Sequence, residues 1–250
     1  MEEYEYKIMY DIESTYWWFR GKQFLLSMLL NDHLDDDGSN RALDVGAGTG
    51  STLELLRRYG AAYGVEFSTV AVHMLKQRGL NSIVQSDVEK SIPFKNDTFS
   101  AVTCLDVLEH LENDLGLLAE MVRVCKPGGI ILVTVPAMPF LWSSHDQALH
   151  HKRRYIKKQL LNRIAPLNCT VTSSTYFNAF LFLPIAAVRT FKSFVGAGGA
   201  KAESDFFMPL PRWLNSALYF LFATELKCLR IVGIPFGLSI LAVIQKPYDV

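Results

Sequence analysis

The sequence predicts an α/β fold built on an open, doubly wound sheet with helices on both faces, and three observations carry that prediction. Leu43, Asp44 and Val45 close an apolar run that stops at Gly46-Ala47-Gly48-Thr49-Gly50, where a helical pattern begins. A second apolar run ends at Glu66, twenty residues after Gly46. Strand and helix signals then alternate up to a turn at Lys126-Pro127-Gly128-Gly129, the order of βαβ units around a parallel sheet.

The elements follow in chain order. Residues 4–34 read as an amino-terminal helical arm and 35–40 as an acidic loop. Strands are expected over 41–45, 61–66, 82–86, 99–105 and 129–136, with helices over 51–59, 69–78 and 113–125. Leu53, Leu55 and Leu56 give the first of these helices a face that meets a sheet. Lys126-Pro127-Gly128-Gly129 stops the third and turns the chain into the fifth strand. Further strands fit 169–176 and 238–245, the last one following the Pro235-Phe236-Gly237 turn. Gly196-Ala197-Gly198-Gly199-Ala200 reads as a flexible loop, and there is no internal repeat.

The 250 residues, half of them hydrophobic, suffice for one large α/β domain with an insertion and exclude a disordered chain. Cys104, Cys125, Cys169 and Cys228 form no zinc-binding spacing, so reduced, buried thiols in a cytoplasmic protein and no metal are expected. Glu2, Glu3 and Glu5 are unlike the basic start of a signal peptide. The apolar stretches 179–188 and 213–223 are far shorter than the ~20 residues of a membrane span. A net charge of zero conceals halves of −9 (residues 1–125) and +9 (126–250). Either the halves complement each other in the fold, or the basic half faces an anionic acceptor or an acidic membrane surface.

The glycine-rich turn has the chemistry of a nucleotide-type site. Three missing Cβ atoms let the backbone turn tightly and a ligand approach it, while the helix amino end offers unpaired N–H groups. Glu66, at the end of the second strand, is placed to accept hydrogen bonds from both hydroxyls of a ribose. The dinucleotide fingerprint needs a glycine three residues after its second one; here position 51 is serine and Gly50 falls one residue early. The compact G-x-G-x-G form preceded by Asp44 resembles the first motif of the class I S-adenosylmethionine (SAM) dependent methyltransferases. Leu105-Asp106-Val107-Leu108-Glu109-His110 is close to a motif of the small-molecule methyltransferases, and the Pro127-Gly128-Gly129 turn fits the same family.

That resemblance implies a Rossmann-like seven-stranded sheet with an antiparallel last strand and SAM as cofactor. A long segment between the last two strands departs from the family pattern and reads as an inserted helical cap. The whole chain is then one methyltransferase domain: arm 1–40, SAM-binding core 41–136, acceptor-side segment 137–176, helical insertion 177–235, last strand and tail 236–250. Cofactor contacts are expected from Asp44, Gly46, Ala47, Gly48, Gly50, Glu66, Phe67, Asp87, Val88, Leu105 and Asp106. By resemblance, Asp87 meets the adenine amine and the Leu105 carbonyl the methionine ammonium.

A base is needed only for a protonated, weakly acidic acceptor. His110, Asp146 and His150 are the catalytic candidates, the last two in the His-rich segment 144–155. Lys152, Arg153 and Arg154 are either a solvated helix entry or an anion clamp. Tyr16-Trp17-Trp18-Phe19-Arg20 either packs the arm or forms a lid over the cofactor, with Arg20 reaching the SAM carboxylate. This aromatic entry and the His-rich segment look like a methyltransferase branch associated with glycan or lipid-linked sugar biosynthesis. The expected acceptor is a small molecule and not a nucleic acid, with peripheral membrane contact through the insertion. The alternatives are an NAD-dependent oxidoreductase and a non-catalytic SAM-binding protein.

Overall fold

The structure, a computed structural model, describes residues 3–35, 38–194 and 210–248. The amino-terminal arm is two helices, α1 (Glu3–Ile12) and α2 (Trp17–His33). It breaks at Glu13, whose buried carboxylate turns inward to accept from Thr49 Oγ1 (2.7 Å) and to pair with Arg78 (2.5 Å). There follow β1 (Asn40–Val45), α3 (Ser51–Leu56), β2 (Gly60–Glu66), α4 (Thr69–Gln77), β3 (Ile83–Gln85) and β4 (Phe99–Leu105). Next come α5 (Asp114–Val124), β5 (Cys125–Pro136), α6 (Ser144–Ala148), α7 (Lys157–Ile164), β6 (Thr170–Phe177), α8 (Phe182–Phe194), α9 (Arg212–Cys228) and β7 (Ser239–Gln245).

The sheet has seven strands in the order β3-β2-β1-β4-β5-β7-β6. The pairs among β1 to β5 are parallel, and β7 runs antiparallel to both neighbours, as the resemblance implies. Two boundaries differ from expectation. Helix α3 ends at Leu56 because the chain turns at Gly60 (φ +146°), where a Cβ would strike the Asn40 carbonyl. Strand β5 begins at Cys125, which pairs with Phe99 ahead of a bulge that takes up the Pro-Gly-Gly turn.

Strand periodicity splits the core between the two faces of the sheet. Ile131, Val133 and Val135 of β5 pack with Leu117 and Met121 of α5 and Leu160 of α7. Ile130 and Leu132 pack on the other face with Leu25 and Leu30 of α2, Leu53 of α3 and Phe222 of α9. Each fully buried aliphatic side chain contributes about 1.5–3 kcal/mol. Sheet and helices therefore form a rigid frame for the loops at the strand ends.

Helices α8 and α9 lie between β6 and β7, where the insertion is expected. The Gly196-Ala200 loop lies outside the described residues, as does the rest of 195–209. Among the described residues no helix is long and apolar enough to cross a membrane. All four cysteines are free, but only Cys104 and Cys125 are buried; Cys228 is exposed at the end of α9, against the expectation of buried thiols.

Candidate active site

Ligands of open α/β sheets bind beyond the carboxyl ends of the strands, and a cavity of about 560 Å³ lies there. Its floor combines Gly46 and Gly48 after β1, Glu66 and Phe67 at the end of β2, Asp87 and Val88 after β3, and Leu105 and Asp106 at the end of β4. Its roof comes from Tyr6 and Met9 of α1, Trp17, Trp18 and Lys22 of α2, and Ile185 and Arg189 of α8. Eight of the expected cofactor residues thus meet at one cavity. Asp44 and Ala47 line an adjoining pocket of about 80 Å³. Gly50 lines neither; its φ of +104° and the Leu80 and Leu75 methyls, 2.6 and 2.7 Å from where a Cβ would stand, make it a packing glycine between α3 and α4.

The turn is held by the N–H groups of Gly46 and Ala47, which both donate to the Val65 carbonyl at 2.9 and 3.0 Å. Gly46 has φ +76°, and a Cβ there would come within 2.5 Å of Val107 Cγ2. Glu66 accepts from the Gly48 and Ser68 N–H groups, each at 2.8 Å, one on each carboxylate oxygen. Because a carboxylate offers about four lone-pair sites, both oxygens retain acceptor capacity toward the cavity. Burial pushes the Glu66 carboxyl above its ordinary range, against these N–H donors. Asp44, also buried, accepts from Thr103 Oγ1 at 2.7 Å and is pushed up to about 7 by burial.

Asp106 adopts φ +59° and receives Lys22 Nζ at 2.5 Å and Thr134 Oγ1 at 3.0 Å. Burial acts to raise this carboxyl, but the Lys22 ammonium prevails and holds it below its ordinary range. Beside it is a polar cluster from two segments. Glu109, fully buried, points both oxygens at no hydrogen-bond partner in another described residue, and burial holds its carboxyl well above the ordinary range. The His110 and His151 rings meet edge to face with centroids 4.8 Å apart. His110 is lowered to about 4, by burial first and by His151 second.

His151 is set in place from behind. Its Nδ1 lies 2.9 Å from Asp146 Oδ1, which also accepts Arg154 Nε at 2.7 Å, while Arg154 Nη1 donates to the Ala137 carbonyl at 3.0 Å. The Ser143 N–H donates to the other oxygen of Asp146 at 2.9 Å. Of the three catalytic candidates, His110 lines the cavity, Asp146 is completely buried behind His151, and His150 is an exposed turn residue at φ +56°. His151, its neighbour, faces the cavity instead, together with Glu109, Arg154 and His145. The His-rich spacing signals the segment, but not which histidine turns inward. Lys152 and Arg153 pair with Glu112 (3.1 and 3.7 Å), and Arg153 also with Asp114 (3.3 Å). Arg20 lies over the Tyr219 ring at 4.0 Å and is not part of the cavity wall, whereas Trp17 and Trp18 are.

Residues 43–133 match the methyltransferase domain family. That match spans the glycine turn, Glu66, Asp87 and the Leu105–His110 segment, so the sheet's cofactor side is similar to a methyltransferase domain. Norajmaline N-methyltransferase of Rauvolfia serpentina is 28% identical over 166 residues, covering 62% of this chain and 56% of its own length. A ubiquinone biosynthesis O-methyltransferase of Hahella chejuensis is 30% identical over 125 residues, covering 45% and 52%. The chain spans about half the length of these curated relatives. The crystal structure of a SAM-dependent methyltransferase from Archaeoglobus fulgidus superposes with TM-score 0.56 at 21% identity, over 91% of this chain and 96% of that one. At that identity the likeness is one of fold. SAM is the methyl donor of that family, and the acidic floor of this cavity suits its chemistry: a ribose diol, an ammonium and a sulfonium each favour carboxylates, which would repel a pyrophosphate.

Proposed function

We propose that this chain transfers a methyl group from SAM to a small-molecule acceptor by in-line displacement, and that the residues gathered at the strand ends divide between the two substrates. The observation that carries this reading is the placement of three carboxylates, Glu66, Asp87 and Asp106, on the floor of one cavity whose far side holds the Glu109-His110-His151 cluster. SAM supplies an electrophilic methyl group on a sulfonium. Glu66 binds the ribose hydroxyls, Asp87 and Val88 frame the base, the glycine turn admits the ligand to the backbone, and Leu105 and Asp106 face the ammonium. Asp44 and Ala47 support the turn from the adjoining pocket.

On the acceptor side the protein's task is to align a nucleophile and exclude water. Trp17 and Trp18 close the cavity from α2, and Leu181 and Ile185 give it an apolar wall beside Arg154 and Arg189. Such a wall fits an amphipathic acceptor with a polar or acidic end. His110 and His151 line the wall that the acceptor's reactive group faces. Asp146 is a positioning residue that orients His151, and the role expected of His150 passes to its neighbour.

Titration calorimetry of the full chain with SAM, with NAD as competitor, tests the donor. Glu66→Ala should raise the SAM dissociation constant about ten- to hundredfold, the loss expected when charged hydrogen bonds of about 1.5–3 kcal/mol are removed. Unchanged affinity, or displacement of SAM by NAD, would overturn the reading. Incubation of extracts with methyl-labelled SAM and mass spectrometry of the product then identifies the acceptor; binding without any labelled product would favour a SAM-binding protein that transfers nothing.

The exposed face of the insertion supports a second reading, peripheral contact with an anionic membrane. Trp213, Ala217 and Phe220 recur at helical spacing on the outer side of α9, followed by exposed Ile231 and Val232, with Arg212 and Lys227 also exposed.

A further inference from the structure

We propose that Glu109, His110 and His151 form a binding site for a divalent transition-metal ion at the acceptor side of the cavity. One ligand atom from each of the three side chains can be chosen so that all lie within 4.8 Å of one another, and Glu109 Oε1 is 3.9 Å from His151 Nε2. Bonds of about 2.0 Å from a shared ion require ligand atoms roughly 3.3 Å apart, so the three side chains would draw together on binding one.

Three independent features prepare these groups as ligands. Glu109 is completely buried, and both its oxygens lack a hydrogen-bond partner in any other described residue. A buried carboxylate in that condition is costly unless a proton or a cation neutralises it. His151 has its Nδ1 held by the Asp146 carboxylate at 2.9 Å, which directs Nε2 toward Glu109; a carboxylate behind the ring is the usual outer partner of a metal-bound imidazole. The His110 ring is hydrogen-bonded to the backbone of His150, which leaves its other nitrogen for a metal.

Two imidazoles and one carboxylate select a borderline ion of the zinc type over magnesium, which prefers oxygen ligands. All three residues line the cavity, so the remaining coordination positions face the space assigned to the acceptor, where an acceptor oxygen bound to the ion would lose its proton more readily. That last consequence rests on the proposed methyl transfer; the metal site does not.

The test is titration calorimetry of the chelator-treated full chain with zinc chloride, alongside Co²⁺ absorption spectroscopy to report the coordination. One equivalent should bind, with Co²⁺ showing the visible bands of a nitrogen- and oxygen-ligated site. Glu109→Gln and His151→Ala should each weaken zinc at least tenfold, while His73→Ala, which removes an exposed histidine on α4, should leave it unchanged. Circular dichroism confirms that each variant folds, and His110→Asn gives a separate reading if either of the first two does not. Absence of stoichiometric binding to the wild type, or binding that all three cluster variants leave intact, would overturn the site. SAM affinity, measured without added metal, is unaffected by either outcome, so failure of the metal site and failure of the methyl-transfer reading are distinguishable.

Discussion

Asp44 is the clearest case in which position decides a side chain's chemistry. It is the penultimate residue of β1, accepts one hydrogen bond from Thr103 Oγ1 at 2.7 Å, and is pushed by burial from 3.8 to about 7. An acid that holds its proton more tightly in the folded chain than in the unfolded one makes folding stability fall as pH rises between those two values. Asp44→Asn removes that titration. Urea denaturation across pH 4 to 8 should therefore show a smaller loss of stability toward neutral pH in the variant than in the wild type; parallel profiles would mean that Asp44 is ionised throughout. Contact rules of the same kind separate His151 from His150: the two are adjacent in sequence, yet one ring is tied to Asp146 and the other side chain is exposed on a left-handed turn.

The cap depends on how α2 and α9 meet. Gly21 lets the two helices approach so closely that a Cβ there would fall 2.1 Å from Phe222 Cδ1. The Phe222 ring then stacks on Trp18, with centroids 5.3 Å apart and planes 9° apart, and Phe177 stacks on the same indole at 6.0 Å. Trp17 meets Phe222 and Phe180 edge-on at 5.5 and 5.9 Å. The consecutive aromatics thus pack the arm onto α9 and β6, and Trp17 and Trp18 also line the cavity. Phe222→Ala removes the centre of this cluster and should cost about 3–5 kcal/mol of stability, measured by urea denaturation. Because Phe222 is fully buried beneath the cavity wall, the same variant should weaken acceptor turnover more than SAM binding. A loss below about 1 kcal/mol would show that the cap is not packed through this ring.

Taken across the molecule, part of the opposed charge of the two halves meets in the fold. Arg153 and Arg163 pair with Asp114, Lys152 with Glu112, Arg230 with Asp32 and Lys246 with Asp97, each a basic residue of the second half on an acidic residue of the first. Among the described residues, complementation thus engages these five basic side chains of the +9 half. The outer side of α9 is apolar instead: Trp213 is 72% and Phe220 71% exposed, with Ile231 86% exposed just beyond the helix. In flotation with vesicles, the protein should rise with anionic lipid and less with neutral lipid, and Phe220→Ala together with Trp213→Ala should reduce recovery severalfold. Added salt should weaken the anionic component. Recovery from neither vesicle type would remove the membrane reading and leave this face to a protein or to solvent.

Local pattern was sufficient for the sheet and for the floor of the cavity. Apolar runs of strand length, the glycine bend and Glu66 depend on neighbours within a few residues, and the order of βαβ units then obliges the strand ends to converge; the Asp44, Glu66, Asp87 and Asp106 positions were legible for that reason. The acceptor side was not. Glu109 and His110 lie 42 and 41 residues from His151, Lys22 reaches Asp106 from a helix 84 residues away, and Arg189 comes from the insertion. Which of several similar side chains turns inward there is set by packing among distant segments, an energy that no local spacing records.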